Sequence, residues 1–369
     1  MIHRHNERYP TMGAGAEYKT TLDKFTGKNI TGPLAFLKDY QYHTIFPSEK
    51  HGELTTLGPY NGIDGAFKKG QTFKKRYDYL LDKFQGDFPI FTASSHRDQI
   101  TAQYFSKGLG INNTKIVVVP ESATQGANSL TPDRSCPKYD PGTTSNLKSY
   151  LYVFNDTLFK LQHFAPNVDI TIGDISNLLD MCGFELTAVG SQNFCEIFSD
   201  YDHVLHGYGR ALRYYYKNGP GNDLSATLGS VYANATLTLL QQEPHIPVYI
   251  SFTHDTHINF FLSTLGIFSS EESLPYDYAM LNHPWVRGDN TPMGGEVVIE
   301  KMNCSEKSFV RILVNEAVVP FHNCTNGPGT SCPLETFTDI LGDKILDYRE
   351  ACLDSSLPQY LSFFWDWDP

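Results

Sequence analysis

Long apolar runs, repeated or low-complexity tracts, and positive charge are all scarce in these 369 residues. No apolar stretch approaches the roughly 20 residues that a membrane-spanning helix needs, so a membrane partner is not expected. The opening residues Met1-Ile2-His3-Arg4 are polar and lack the apolar h-region of a signal peptide. No internal repeat recurs at a fixed period, which sets repeat architectures aside. Lys and Arg number 29 against 41 Asp and Glu, giving a net charge of −12. Such a chain repels nucleic acid and anionic membranes at long range. An anionic substrate would need a local cationic site.

What is present points to a folded, secreted protein. Hydrophobic residues make up 40% and aromatic residues 13% of the chain, ample for one large domain or two smaller ones, and disorder is not expected for the bulk of it. Six Asn-x-Ser/Thr glycosylation acceptors stand at Asn29, Asn112, Asn155, Asn234, Asn303 and Asn323. Together with seven cysteines, they favour an oxidising compartment: an extracellular, cell-wall or periplasmic location.

The apolar pattern alternates between strands and helices. Strands are predicted at 88–92, 115–119 and 248–253, each apolar or β-branched and bounded by proline or small polar residues. Segments 297–300 and 310–314 are predicted to pair antiparallel, with Asn303-Cys304-Ser305 in the connection. Helices are predicted over 98–109, 147–164, 170–182 and 225–243. Stretches 132–144 and 218–222, rich in Pro, Gly, Asp and Asn, read as linkers. The expected fold class is α/β, a central mostly parallel sheet flanked by helices. Residues 1–121 and 244–369 would form this domain, and 122–243 a mostly helical insertion.

Three short motifs carry the chemistry. The first is Arg4-His5-Asn6-Glu7-Arg8-Tyr9-Pro10. Arginine offers a planar fork that matches two phosphate oxygens and stays charged. A neutral imidazole beside such forks can attack phosphorus in line while they neutralise the other oxygens. The second is Thr253-His254-Asp255-Thr256, at the carboxyl end of a predicted strand, the edge where open α/β sheets bind ligands. His254 can donate to a phosphate oxygen, and Asp255 can protonate a departing alkoxide; the plainer reading is a helix N-cap. The third is Thr92-Ala93-Ser94-Ser95-His96-Arg97-Asp98, where Arg97 opens a helix and so sits at an anion-binding end.

In this order the motifs resemble the histidine acid phosphatase family, the branch with fungal phytases and secreted yeast acid phosphatases. The family pattern is Arg-His-Gly-x-Arg-x-Pro near the start and His-Asp far downstream; only Asn6, in place of glycine, departs from it. Segments 251–256, 317–320 and 363–367 also look like the yeast enzymes. The resemblance implies a phosphoglycerate mutase-like fold and a phosphohistidine mechanism. His5 would be the nucleophile, Arg4, Arg8, Arg97 and His254 the phosphate ligands, and Asp255 the proton donor. No metal or cofactor is implied. The implied disulfides are Cys182–Cys195, Cys324–Cys332 and Cys136–Cys352. Cys304 is left over: by the resemblance its partner lies just upstream of the Arg-His motif, in an N-terminal segment expected to be missing from this chain. Glycine at position 6 would allow a positive φ or a close backbone approach, and asparagine tolerates left-handed geometry better than most residues.

The expected activity is hydrolysis of phosphorylated small molecules, with broad specificity, in a monomer or a homo-oligomer. Phytase is the runner-up: Lys68, Lys69, Lys74 and Lys75 lie on a predicted helix that is either a cationic pocket rim or a solvated face. Two further alternatives are a metal-dependent hydrolase built on His254, Asp255 and His257 with His3 or His5, and an inactive glycoprotein.

Overall fold

An eight-stranded mixed sheet organises the chain. Its strands are β1 (Ile2–Arg4), β2 (Phe88–Ala93), β3 (Thr114–Val119), β4 (Ile250–Thr253), β5 (Glu296–Cys304), β6 (Lys307–Val314), β7 (Ala317–Val319) and β8 (Cys332–Pro333). The computed structural model describes residues 1–142, 145–243 and 245–367. The strand order is β3-β2-β4-β1-β5-β6-β7, with β8 on β6. The first four strands are parallel, and the rest add antiparallel.

Strands β1, β2 and β4 of the parallel half are buried on both faces, which is why β2 and β4 read as nearly continuous apolar runs, while β3 at the edge is half-exposed. Phe88 and Ile90 of β2 pack with Phe73, Leu81 and Phe105. Phe91 and Ala93 point the other way, toward Leu228, Phe260 and Phe364. Helices Gly62–Leu81 and His96–Leu109 lie against each other on the first side. They approach so closely that a Cβ on Gly108 would fall 2.0 Å from the Phe67 carbonyl oxygen. Among the described residues between β3 and β4 the regular elements are helical. The hydrophobic clusters cross chain order: Tyr9, Tyr18, Phe25 and Phe46 pack with Phe154, Leu178 and Leu205, whereas Ala127, Leu130 and Leu228 pack against the sheet. The last two residues of the 132–144 linker, the boundary residue 244 and the terminal residues 368–369 lie outside the described residues.

Two sequence expectations are corrected. The helix predicted over 147–164 is Ser145–Tyr150, a 3₁₀ turn Leu151–Phe154, then Asn155–Phe164. Residues four apart share one face of an α-helix, but Tyr150 and Phe154 are buried in different clusters, and the tighter turn re-aims the second. The β5–β6 pairing also runs further than expected. Asn303 faces Ser308 and Cys304 faces Lys307, so those residues lie in the strand and the turn is Ser305-Glu306. The Ser308 hydroxyl donates to Asn303 Oδ1 at 2.8 Å, extending the ladder to its end.

The structure holds disulfides Cys136–Cys352, Cys182–Cys195 and Cys324–Cys332; Cys304 is free and exposed. Of the glycosylation acceptors, Asn29, Asn112, Asn155, Asn303 and Asn323 are exposed, while Asn234 is half-buried within helix Ser225–Gln241.

His3 makes stability depend on acidity. It is fully buried in β1 between Phe105 and Phe252. Burial, followed by the charge of Lys69, pushes its pKa down from 6.5 to about 3. The unfolded chain therefore binds a proton below pH 6.5 that the folded chain refuses, and stability falls as pH drops through that window. The loss reaches about 2 kcal/mol at pH 5. His3→Gln is expected to shrink the difference in unfolding free energy between pH 7 and pH 5 by that amount, read from denaturant melts at the two pH values; an unchanged difference would refute the assignment.

Candidate active site

The carboxyl ends of β1, β4 and β2 lie side by side, and each is followed by one of the three sequence motifs. The backbone pins them together. His5 N–H donates to the Thr253 carbonyl at 3.1 Å, and Gly294 N–H to the His5 carbonyl at 3.0 Å. Thr101 Oγ1 accepts from Asn6 N–H at 3.2 Å and donates to the Arg97 carbonyl at 2.8 Å, tying the His5 loop to the helix that starts at His96.

His5 is 2% exposed, and its Nδ1 lies 2.9 Å from the Asn6 carbonyl oxygen. A carbonyl only accepts, so Nδ1 carries the proton and Nε2 keeps its lone pair. Burial, then Arg4, Arg8, Arg97 and His254, hold the ring's pKa well below 6.5. The imidazole is therefore neutral in acid, as a nucleophile must be. The His5 and His254 rings stand 6.1 Å apart edge to face. Arg97 Nη2 donates to His254 Nδ1 at 3.1 Å. The Nε groups of Arg4, Arg8 and Arg97 are buried without a hydrogen-bond partner. Buried donors of this kind are costly unless an acceptor meets them, and an oxyanion supplies one.

Asp255 is the first residue of helix Asp255–Leu265, and His254 stands at its N-cap without a side-chain capping bond. The N-cap reading therefore does not account for the pair. Arg4 Nη2 lies 3.0 Å from Asp255 Oδ2. Although burial alone would raise the carboxyl's pKa, Arg4 and Arg287 hold it well below the usual carboxylate range.

Several neighbours escaped the sequence reading. Glu121 follows β3 and Pro120, and its Oε1 accepts from His254 Nε2 at 2.8 Å. The strand-end argument that picked out His254 applies equally to Glu121 and could have found it. Asp98 is wholly buried 3.2 Å from His254 Nδ1, and burial raises its pKa. Arg287 touches Asp255 from a segment with no motif. The residues of the metal alternative do not converge: His257 Nε2 faces Asp133 at 2.5 Å, and His3 packs among Phe105 and Phe252.

The family model for the histidine phosphatase superfamily (branch 2) matches residues 1–315. The chain belongs to this superfamily. It is 35% identical to a phytase of Candida albicans, over 99% of this chain and 82% of the relative. It is 34% identical to the constitutive acid phosphatase of Saccharomyces cerevisiae, over 100% and 83%. The crystal structure of the phytase from D. castellii superposes with a TM-score of 0.94 at 33% identity, covering 99% of this chain and 83% of that one.

Position 6 is where this histidine phosphatase departs from the Arg-His-Gly pattern, and the structure shows how. Asn6 does not adopt a positive φ, so left-handed geometry is not what the turn requires. The constraint is space. A Cβ on Gly65 would lie 2.8 Å, and one on Gly294 3.0 Å, from the buried Asn6 Nδ2. Two glycines elsewhere in the chain make room for the side chain at position 6.

Proposed function

We propose that this phosphoric monoester hydrolase acts as an acid phosphatase through a phosphohistidine on His5. One observation carries the assignment: a neutral imidazole, its Nδ1 committed to the Asn6 carbonyl, sits among three arginines whose buried Nε groups lack partners. In the first step His5 Nε2 gives its electron pair to phosphorus and the bond to the ester oxygen breaks. Arg4, Arg8 and Arg97 hold the phosphoryl oxygens and neutralise them, and His254 joins them by turning its Nε2–H from Glu121 to a phosphoryl oxygen. The arriving anion draws on Arg4 and sets a like charge beside Asp255, which raises its pKa so that it takes up a proton. That proton passes to the departing alkoxide. Water then attacks phosphorus while the P–Nε2 bond breaks and returns its electron pair to His5, Asp255 accepts the water's proton, and inorganic phosphate leaves.

Acid-quench trapping with a labelled monoester, followed by mapping of the label, tests this reading. The label is expected on His5, and label on any other residue overturns it.

Broad specificity is the reading favoured for the substrate. Lys68 pairs with Asp64, Lys69 with Glu296 and Glu316, and Lys74 with Asp82; Lys75 is exposed, so among the described residues one unpaired lysine of the four is left on this helix, which is too little charge for a cationic rim. Hydrolysis of inositol hexaphosphate is the second reading, carried by the likeness to the C. albicans and D. castellii phytases. Relative kcat/KM on inositol hexaphosphate and on a small aryl phosphate separates the two. Secretion is supported by three disulfides and five exposed glycosylation acceptors.

A further inference from the structure

Asp255 is gripped by two guanidinium groups, and the phosphate cage described above uses only one of them. Arg4 lies 3.0 Å from Asp255 Oδ2 through Nη2 and donates to the Thr291 carbonyl through Nη1 at 2.8 Å. Arg287 reaches the same two oxygens. Its Nη2 donates to Asp255 Oδ2 at 2.5 Å, and its Nη1 donates to the Thr291 carbonyl. The Arg287 side chain is only 11% exposed, and its guanidinium lies 4.3 Å from the centre of the Tyr214 ring, a cation–π contact that fixes its plane. Two like charges converging on shared acceptors repel one another, so the arrangement asks for a reason.

We propose that Arg287 is a positioning residue for Asp255: it keeps the carboxyl aimed and compensated while the substrate phosphate draws on Arg4. The proposal rests on the reading of Asp255 as proton donor. Arg4 has two duties in that mechanism, and one guanidinium cannot serve the Asp255 carboxylate and a phosphate oxygen at full strength together. With Arg287 in place, Asp255 retains an anchor whichever anion Arg4 serves. Without it, Asp255 competes with substrate for Arg4, and the carboxyl loses a fixed direction toward the leaving oxygen.

The groups facing Asp255 are Arg4, His5 and Arg8 from β1 and the loop after it, Arg210 and Tyr214 from helix Asp200–Asn218, Arg287, and the adjoining His254. Loss of Arg287 removes one cation from this set, so the Asp255 pKa rises. Because the donor works protonated, the alkaline limb of the pH–rate profile moves to higher pH.

The test compares Arg287→Gln, Arg287→Lys and Asp255→Asn in the full chain on two substrates. An alkyl phosphate needs its leaving group protonated, while a nitrophenyl phosphate barely does. Arg287→Gln is expected to lower kcat on the alkyl phosphate about 10- to 100-fold and on the aryl phosphate less than about threefold, with the alkaline limb moved up by about one pH unit. Arg287→Lys should recover part of the loss; it also serves if the glutamine variant fails to fold, since it keeps the charge but cannot bridge both oxygens. Equal losses on the two substrates, or an unmoved alkaline limb, overturn the proposal. Asp255→Asn separates the layers. If it too fails to discriminate the substrates, the donor reading falls and takes this one with it. If it discriminates and the Arg287 variants do not, only the role of Arg287 falls.

Discussion

His5→Ala is expected to lower kcat on any phosphate monoester by about 10⁴- to 10⁶-fold, the scale seen when a covalent nucleophile is removed. That corresponds to about 5.5–8 kcal/mol of transition-state stabilisation. The size follows from what the ring does. In the proposed mechanism its Nε2 bonds phosphorus, and the water that would have to replace it is a poorer nucleophile lacking a base. The fold should survive, because the polar contact of the His5 ring is the one to its neighbour's carbonyl and the backbone pins of the loop do not involve the side chain. Inorganic phosphate should still raise the variant's Tm, since Arg4, Arg8 and Arg97 remain. A folded His5→Ala protein with substantial turnover, or one that still traps label, would end the mechanism. In the unaltered chain, burial and the surrounding arginines hold the His5 pKa down. The rate should therefore not fall on the acid side at pH 6.5, where an ordinary histidine protonates; the decline begins well below it.

Gly108→Val is expected to destabilise the protein by about 4 kcal/mol or more and to lower activity as well. A Cβ at this position would meet the Phe67 carbonyl oxygen at 2.0 Å, and one at Gly70 would meet the Phe105 carbonyl oxygen at 2.1 Å. Both obstacles are backbone, so no side-chain rotation relieves them and the two helices must separate. The displaced helix begins at His96 and carries Arg97, so the shift reaches the phosphate cage. For a chain of this size the change corresponds to a Tm lower by about 5 °C. Gly183→Ala is the control: nothing lies within 4 Å of a Cβ there, and alanine in a helix should be neutral or slightly stabilising. Equal melting of the two variants would show that the helix crossing is not as close as described.

The motifs were legible in the sequence because each is local. A strand followed by Ser95-His96-Arg97 or by His254-Asp255 needs only the rule that parallel strands present their carboxyl ends to ligands; Arg4-His5 was legible from its own Arg-His-x-x-Arg spacing, whereas the three-residue strand Ile2–Arg4 that carries it is too short to read as a pattern. The sheet was legible for a related reason: strands covered on both faces, such as 88–93 and 250–253, read as apolar runs. The break at 151–154 was not legible, because the periodicity is helical throughout and only the division of Tyr150 and Phe154 between two clusters forces the turn. Position 6 shows the same limit. Glycine there was read as allowing either a positive φ or a close approach, and the choice between conformation and space was decided by Gly65 and Gly294, far away in the chain.

Residue order by itself determined the chemistry on offer: which side chains follow each strand, and that an acidic chain concentrates arginines beside a histidine. Only the tertiary structure decided protonation and partnership. Burial and the convergence of Arg4, Arg8 and Arg97 keep His5 neutral, and Arg287, 32 residues beyond Asp255, joins Arg4 in keeping that carboxyl charged. Charge interaction depends on distance and on exclusion of water, and neither quantity exists until the chain has folded.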